Sequence, residues 1–89
     1  MGRNSKYLRR LSDALELPGE AFGAPKLLFS GRDSLLAENL RAVIHFSPEL
    51  ICVGTDDGNL RVLGTGLTIS GLGCGRMLIR GSISSVEWE

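Results

Sequence analysis

The hydrophobic pattern from Lys26 onward constrains the fold more than any other feature of the chain. Apolar residues there alternate with polar ones or form short runs, and Gly, Pro, Asp or Asn interrupt them at intervals of about ten residues. No segment of this region combines helical spacing with helix caps. Short strands with hairpin-length connections are typical of antiparallel sheets. The sequence therefore predicts a small all-β domain over residues 26–89.

The predicted architecture is an antiparallel meander of about seven to eight short strands. To bury one face, such a sheet must curl, fold into a sandwich or close into a partial barrel. A loose rhythm of Leu, Val or Ile followed by Gly leaves a short β-solenoid as the alternative. The predicted strands are Lys26–Ser30, Leu35–Glu38, Arg41–Ser47, Leu50–Thr55, Leu60–Leu63, Leu67–Ser70, Arg76–Gly81 and Ile83–Trp88.

The N-terminal region has a different pattern, which predicts one basic amphipathic helix within residues 1–17. Its apolar residues recur at helical spacing over residues 5–17, and Pro18 with Gly19 ends it. Residues 18–25 form a connector to the β domain, and the helix is the expected lid on the sheet. Basic residues precede the first acidic residue, Asp13; they are Arg3, Lys6, Arg9 and Arg10.

The basic helix allows two interpretations. Its apolar stripe can pack against the sheet or a second copy, or the helix can contact a partner or lie on an anionic membrane. Asp13 and Glu16 oppose the membrane interpretation, and both interpretations hold together if the arginines face outward. We therefore treat Arg3, Lys6, Arg9 and Arg10 as candidate contact residues for a partner or for a membrane surface.

Size and charge limit the classes of function. With 89 residues the chain forms one domain with a thin core. Its formal net charge is zero, which provides no field to recruit nucleic acid and no repulsion against self-association. We expect a homo-oligomer that does not bind nucleic acid. No run approaches the roughly 20 apolar residues of a membrane span, so we expect a cytoplasmic protein.

The residues that usually carry catalysis or bind metals are sparse. His45 is the only histidine, and a surface strand position accounts for it; Cys52 on the next predicted strand could face it. Cys52 and Cys74 are expected to be buried free thiols, although a disulfide stays open. One histidine and two cysteines are too few for a structural zinc site. We therefore predict no catalytic, metal or cofactor-binding residue.

Three polar or glycine-rich segments have ordinary turn explanations. Asp56-Asp57-Gly58-Asn59 lacks the spread of ligands of a calcium loop and is a strong hairpin signal. Residues 71–75 precede a strand pattern, not the helix that a phosphate loop needs. Glu38-Asn39 is expected to be a turn in which Asn39 has a special backbone conformation and Glu38 faces solvent. A recognition role for Glu38 and Asn39 is the alternative.

The order of these motifs resembles the YabP/YqfC sporulation family, and the chain is most similar to its YqfC members. The resemblance runs from about Leu15 to Trp88. The matching segments are Leu17–Pro18, Pro25–Gly31, Leu35–Asn39, Arg41–Val43, Gly58–Gly64, Leu67–Ile69 with Leu72, Ile79–Ile83 and Val86–Trp88.

The resemblance implies a non-catalytic protein made in the mother cell of an endospore-forming bacterium. Its expected role in spore morphogenesis is structural or mediates an interaction, with a second copy or a membrane-bound sporulation protein as partner. The expected location is the mother-cell cytoplasm, with the forespore membrane surface as an alternative. Two other functions stay open, a self-assembling bactofilin-like β scaffold and a membrane-surface adaptor unrelated to sporulation. An enzyme would need a polar pocket around His45, Cys52 and Glu38.

Overall fold

The computed structural model describes residues 15–16 and 23–89. Arg3, Lys6, Arg9, Arg10 and most of the predicted N-terminal helix lie outside the described residues. The described chain contains strands and turns, and none of it forms a helix long and apolar enough to cross a membrane. Its strands are β1 (Leu15–Glu16), β2 (Lys26–Ser30), β3 (Ser34–Glu38), β4 (Leu40–Phe46), β5 (Leu50–Thr55), β6 (Gly58–Gly73) and β7 (Arg76–Trp88).

All the strands pair antiparallel in one open sheet. Its order is β1-β4-β5-β6-β7-β3-β2. The predicted antiparallel all-β class is confirmed, and the described strands do not form the coils of a β-solenoid. The meander runs only from β4 to β7, because β3 pairs with β7 and not with β4. Asn39, which separates β3 from β4, has a left-handed φ of 65°, and this conformation interrupts the extended backbone.

The two longest strands correct the prediction of uniformly short ones. β6 has 16 residues and β7 has 13, and each merges two segments that the sequence predicted as separate strands. The predicted strands Leu60–Leu63 and Leu67–Ser70 leave Gly64-Thr65-Gly66 as a turn between them. Pairing with β7 instead continues on both sides of it, with register shifts between Leu63 and Gly64 and between Thr65 and Thr68. The glycines therefore bend one strand instead of separating two.

At the bend, the backbones of β6 and β7 approach each other closely. A Cβ on Gly81 would lie 2.7 Å from the carbonyl oxygen of Gly66 and 2.9 Å from Cα of Leu67. Gly81 also has a φ of 138°, which side-chain-bearing residues rarely adopt. A Cβ on Gly64 would overlap the carbonyl oxygen of Ser82. These glycines permit β6 and β7 to bend together.

Two neighbouring turns hold the bend in place. From the β2–β3 turn, the carbonyls of Asp33 and Arg32 accept bonds from the backbone N–H groups of Gly81 (3.0 Å) and Ile83 (2.9 Å). From the β4–β5 turn, the Pro48 carbonyl accepts a bond from the Leu67 N–H (2.8 Å). The two turns thus provide acceptors for backbone N–H groups that the irregular β6–β7 ladder leaves without a partner.

The bent sheet encloses a single hydrophobic core. Residues before and after the bend contribute to one cluster. The helix that the sequence predicts as a lid on this sheet lies mostly outside the described residues. Met77, Ile79 and Ile83 alternate along β7, and all three are buried in this core. The buried cluster comprises Leu35, Ala37, Leu40, Val43, Ile51, Val53, Leu60, Val62, Leu67, Met77, Ile79 and Ile83.

The two edges of the sheet differ. At one edge, Leu15 and Glu16 pair with Val43 and Ala42 of β4, so these two residues form a strand where the sequence predicted the end of a helix. The physical reason is the free edge of β4, which offers backbone partners that outweigh local helical periodicity. At the other edge lies β2, which pairs with β3 alone among the described strands.

Candidate functional site

Asn39 is the centre of a polar corner between β3 and β4. Its left-handed backbone confirms the predicted special turn conformation, which asparagine tolerates better than most residues. Its side chain has a further role that the pattern did not predict. The Nδ2 group donates a hydrogen bond to the carbonyl of Ala24 at 2.8 Å. Asn39 therefore fastens the end of the 18–25 connector to the sheet.

Glu38 contacts a basic residue of another strand. Its Oε2 atom lies 3.2 Å from Nε of Arg76, at the start of β7. The backbone N–H of Leu40 donates to the carbonyl of Gly75 at 2.8 Å. Glu38 therefore does not only face solvent. Its ion pair and the Leu40 hydrogen bond connect residues 38–40 to the end of the β6–β7 hairpin.

A second ion pair reinforces the corner from the β5–β6 turn. Nε and Nη2 of Arg41 donate to Oδ1 and Oδ2 of Asp56 at 2.8 and 3.1 Å. This two-point geometry is the strongest that an arginine and a carboxylate can adopt. The Arg41 guanidinium, helped by a hydrogen bond from the Gly23 backbone, holds the pKa of Asp56 below its usual value. The carboxylate therefore stays ionised and keeps both partners.

The corner site consists of Gly23, Ala24, Glu38, Asn39, Arg41, Asp56 and Arg76. It brings together the connector, β3, β4, the β5–β6 turn and β7. Sequence reasoning identified Glu38 and Asn39 but missed Arg41, Asp56 and Arg76, which lie 15 or more residues from one of their partners. Opposite charges beside predicted turns were the only available signal. The arrangement positions chain segments, and its carboxylates are neutralised by arginines.

His45 and Cys52 are neighbours, as the sequence suggested. They are register partners on β4 and β5, with His45 exposed and Cys52 buried. The Cys52 thiol donates to Oε1 of Glu89 at 3.6 Å, and the same oxygen accepts a bond from Nδ2 of Asn59. Glu38 is engaged with Arg76 instead of this group. Within residues 15–16 and 23–89, no three His, Cys, Asp or Glu residues are placed to hold a metal ion.

The two predicted hairpins have ordinary turn chemistry. Thr55 Oγ1 donates to the Gly58 carbonyl at 2.7 Å and accepts from the Asp57 N–H at 3.0 Å, which closes the β5–β6 turn. Cys74 and Gly75 connect β6 to β7, and a strand follows them as predicted. Cys74 is exposed at a φ of 53°, so the expectation that both cysteines are buried holds only for Cys52. Neither is in a disulfide.

A row of leucines on the outer face of the sheet is a second feature that the sequence did not predict. Leu28, Leu36 and Leu78 are register partners across β2, β3 and β7. They lie on the face opposite to the buried Leu35 and Ala37, and we call them the outer leucine row. Surface depressions of about 300 and 340 Å³ adjoin Leu36 on either side. Double-leucine runs gave no alternation from which a second apolar face could be predicted.

The described chain has one bent antiparallel sheet, a corner that fixes its N-terminal connector, and a row of leucines on its outer face. The YabP family model matches residues 23–89, a range that covers the whole β2–β7 region. The chain belongs to the YabP family. Neither the curated proteins nor the solved structures include a match to it.

Proposed function

We propose that this chain is a non-catalytic protein of spore morphogenesis, made in the mother cell, with a structural or interaction role. Membership of the YabP family over residues 23–89 is the observation that carries this proposal. The matched range includes the residues of the corner site, the outer leucine row and the bent sheet.

The surface of the domain supports an interaction role. Leu28, at the end of the outer leucine row, and Phe29 are exposed apolar side chains on the edge strand β2, while Leu36 and Leu78 are half-buried. Exposed apolar side chains on a strand with free backbone groups are typical of protein contacts. A second copy of the chain and a membrane-bound sporulation protein are the proposed partners. No nucleic acid is proposed, because the chain has no net positive charge.

The corner site supports separate roles for the β domain and for the basic N-terminal segment. It fixes Gly23 and Ala24 to the sheet, and the sequence of residues 1–17 carries the basic candidates Arg3, Lys6, Arg9 and Arg10. In the proposed function the β domain makes protein contacts, while the basic segment contacts a partner or the forespore membrane surface. The protein acts in the mother-cell cytoplasm or at that surface.

The test is fluorescence imaging of a tagged copy in the source organism through growth and sporulation. We expect signal only after asymmetric division, in the mother cell and around the forespore. A tagged copy with Arg3, Lys6, Arg9 and Arg10 all changed to Gln distinguishes attachment to the forespore surface from the time at which the protein is made. Its signal should appear at the same stage but spread through the mother cell. Diffuse signal of the unmodified chain in growing cells would contradict the sporulation role.

A non-catalytic role also predicts that His45 is dispensable. His45→Ala removes the only imidazole in the chain from an exposed position on β4, so folding should be unaffected. We expect the number of heat-resistant spores to equal that of the unmodified strain. A loss of spores with unchanged protein abundance would instead indicate that His45 takes part in chemistry or recognition.

A further inference from the structure

The edge of β2 is unusual for an exposed strand. Edge strands are ordinarily protected by charges, proline or bulges within them, because their free backbone groups can pair with another chain. Lys26 is the only charged residue of Lys26–Ser30, and the strand contains neither proline nor a register shift. Two large apolar side chains are exposed on it, Leu28 at 66% and Phe29 at 46%.

The two faces of β2 are apolar for different reasons. Leu28 lies on the outer face, at the end of the outer leucine row. Phe29 lies opposite the buried Leu35, so it points to the core side, and yet it is exposed. Leu27, also on the core side, is partly buried against the core. On both faces of the sheet, the outer leucine row and the core side, the last apolar side chain at β2 is therefore exposed.

From these observations we infer that β2 pairs antiparallel with β2 of a second copy, around a twofold axis at Leu28. This inference deepens the self-association within the proposed function and rests on it for its biological meaning. In this register Leu28 faces Leu28 of the partner, and Leu27 faces the partner's Phe29. The first pair continues the outer leucine row across both copies, and the second covers Phe29 and continues the core layer.

Charge favours the antiparallel arrangement. Antiparallel pairing centred on Leu28 places Lys26 opposite the partner's Ser30, and the two lysines are four residues apart, about 14 Å. That separation exceeds the Debye length of about 8 Å at physiological ionic strength, so their repulsion is largely screened. In-register parallel pairing would place the lysines about 4.8 Å apart. The strand is therefore complementary to itself in one orientation only.

Because the twofold axis places Leu28 opposite Leu28 of the partner, charged substitutions at this one position test whether the interface is symmetric. Leu28→Lys and Leu28→Glu each place two like charges opposite one another, whereas a mixture of the two variants places opposite charges there. Sedimentation velocity and size-exclusion chromatography of the full chain would measure the dimer. We expect each variant alone to raise the dimer Kd at least about tenfold and the equimolar mixture to restore most of the loss.

The control is Leu72→Lys, which adds the same charge at an exposed apolar position on β6. It should leave the dimer intact. Because Leu28 is largely exposed, circular dichroism should show unchanged folding of both Leu28 variants. A monomeric wild-type chain, filaments, or a dimer insensitive to Leu28→Lys would overturn the inference. A confirmed dimer whose Leu28→Lys variant sporulates normally would leave the interface standing and count against its role in the proposed function.

Discussion

At the scale of single residues, the corner site shows how much depends on Asp56. The Asp56 carboxylate receives two bonds from Arg41 and a backbone bond from Gly23, although its side chain is 38% exposed. Exposed ion pairs usually contribute little, but this one joins three separate segments of the chain. Its effect should therefore be visible in the order of the connector as well as in stability.

Removing the charge of Asp56 should destabilise the protein in a pH-dependent manner. The folded-state pKa of Asp56 lies below its unfolded value, so its contribution is complete above the unfolded pKa, about 3.9, and is lost as pH falls through the folded pKa. We expect Asp56→Asn to lower Tm at pH 7, and the difference from wild type to shrink below about pH 4. Thermal unfolding followed by circular dichroism at both pH values measures this.

The matched control is Asp57→Asn, in the same turn, whose carboxylate is not part of the Arg41 pair. Its effect on Tm at pH 7 should be smaller than that of Asp56→Asn. Equal effects of the two substitutions would show that turn propensity, and not the ion pair, accounts for the loss.

Gly81 offers a second test at the residue scale. A methyl group there would press on the backbone of Gly66 and Leu67, at the bend where neither strand can move aside. We expect Gly81→Ala to lower the free energy of unfolding by about 3 kcal/mol, the upper part of the range for overpacking. Gly71→Ala is the control, because its Cβ would lie at an ordinary 3.8 Å from that of Leu78. Urea unfolding measures the free energy of unfolding of both variants. An equal decrease for Gly81→Ala and Gly71→Ala would contradict the proposed backbone contact at Gly81.

At the scale of elements, the sequence predicted where strands occur better than which of them are continuous. Leu50–Thr55 and Lys26–Ser30 have the predicted bounds, because alternation and turn residues define them locally. The merging of Leu60–Leu63 with Leu67–Ser70 could not be predicted. Gly64 and Gly66 are equally suited to a turn and to a bend, and only pairing with β7 decides between them.

The corner site illustrates the same limit. Asn39 could be predicted because its conformation is a local property of the residue. The Glu38–Arg76 and Arg41–Asp56 pairs depend on how distant strands come together, and no local pattern encodes that. The outer leucine row depends on the register of β2, β3 and β7, which a single sequence does not specify.

At the scale of the whole molecule, the core and the N-terminal segment can be separated experimentally. All residues of the buried cluster lie between Leu35 and Ile83, whereas the described part of residues 1–16 adds only the short β1 pairing. We expect removal of residues 1–16 to leave a folded domain with a slightly lower Tm. Spore yield should nevertheless fall, since the basic candidates Arg3, Lys6, Arg9 and Arg10 are lost.

The control for this truncation is a full-length chain in which only those four basic residues are changed to Gln. It should retain the wild-type Tm and show the same fall in spore yield. If the truncated chain is unfolded, residues 1–16 are needed for folding, and the prediction that the β domain folds without them is wrong. If it is folded and sporulation is normal, the segment has no part in the proposed function.

The pairing of β3 with β7 has a consequence for how the chain acquires its structure. β3 is complete at Glu38, but its only non-hairpin neighbour begins at Arg76, so the intervening residues must be ordered before the sheet can close. Long-range antiparallel closure of this kind makes folding slow, on a scale of milliseconds to seconds. During synthesis the β2–β3 hairpin emerges well before β7, so Leu35 and Ala37, which are buried in the complete sheet, stay uncovered until β7 is made. A nascent chain in this state is the form most exposed to aggregation and most dependent on chaperones.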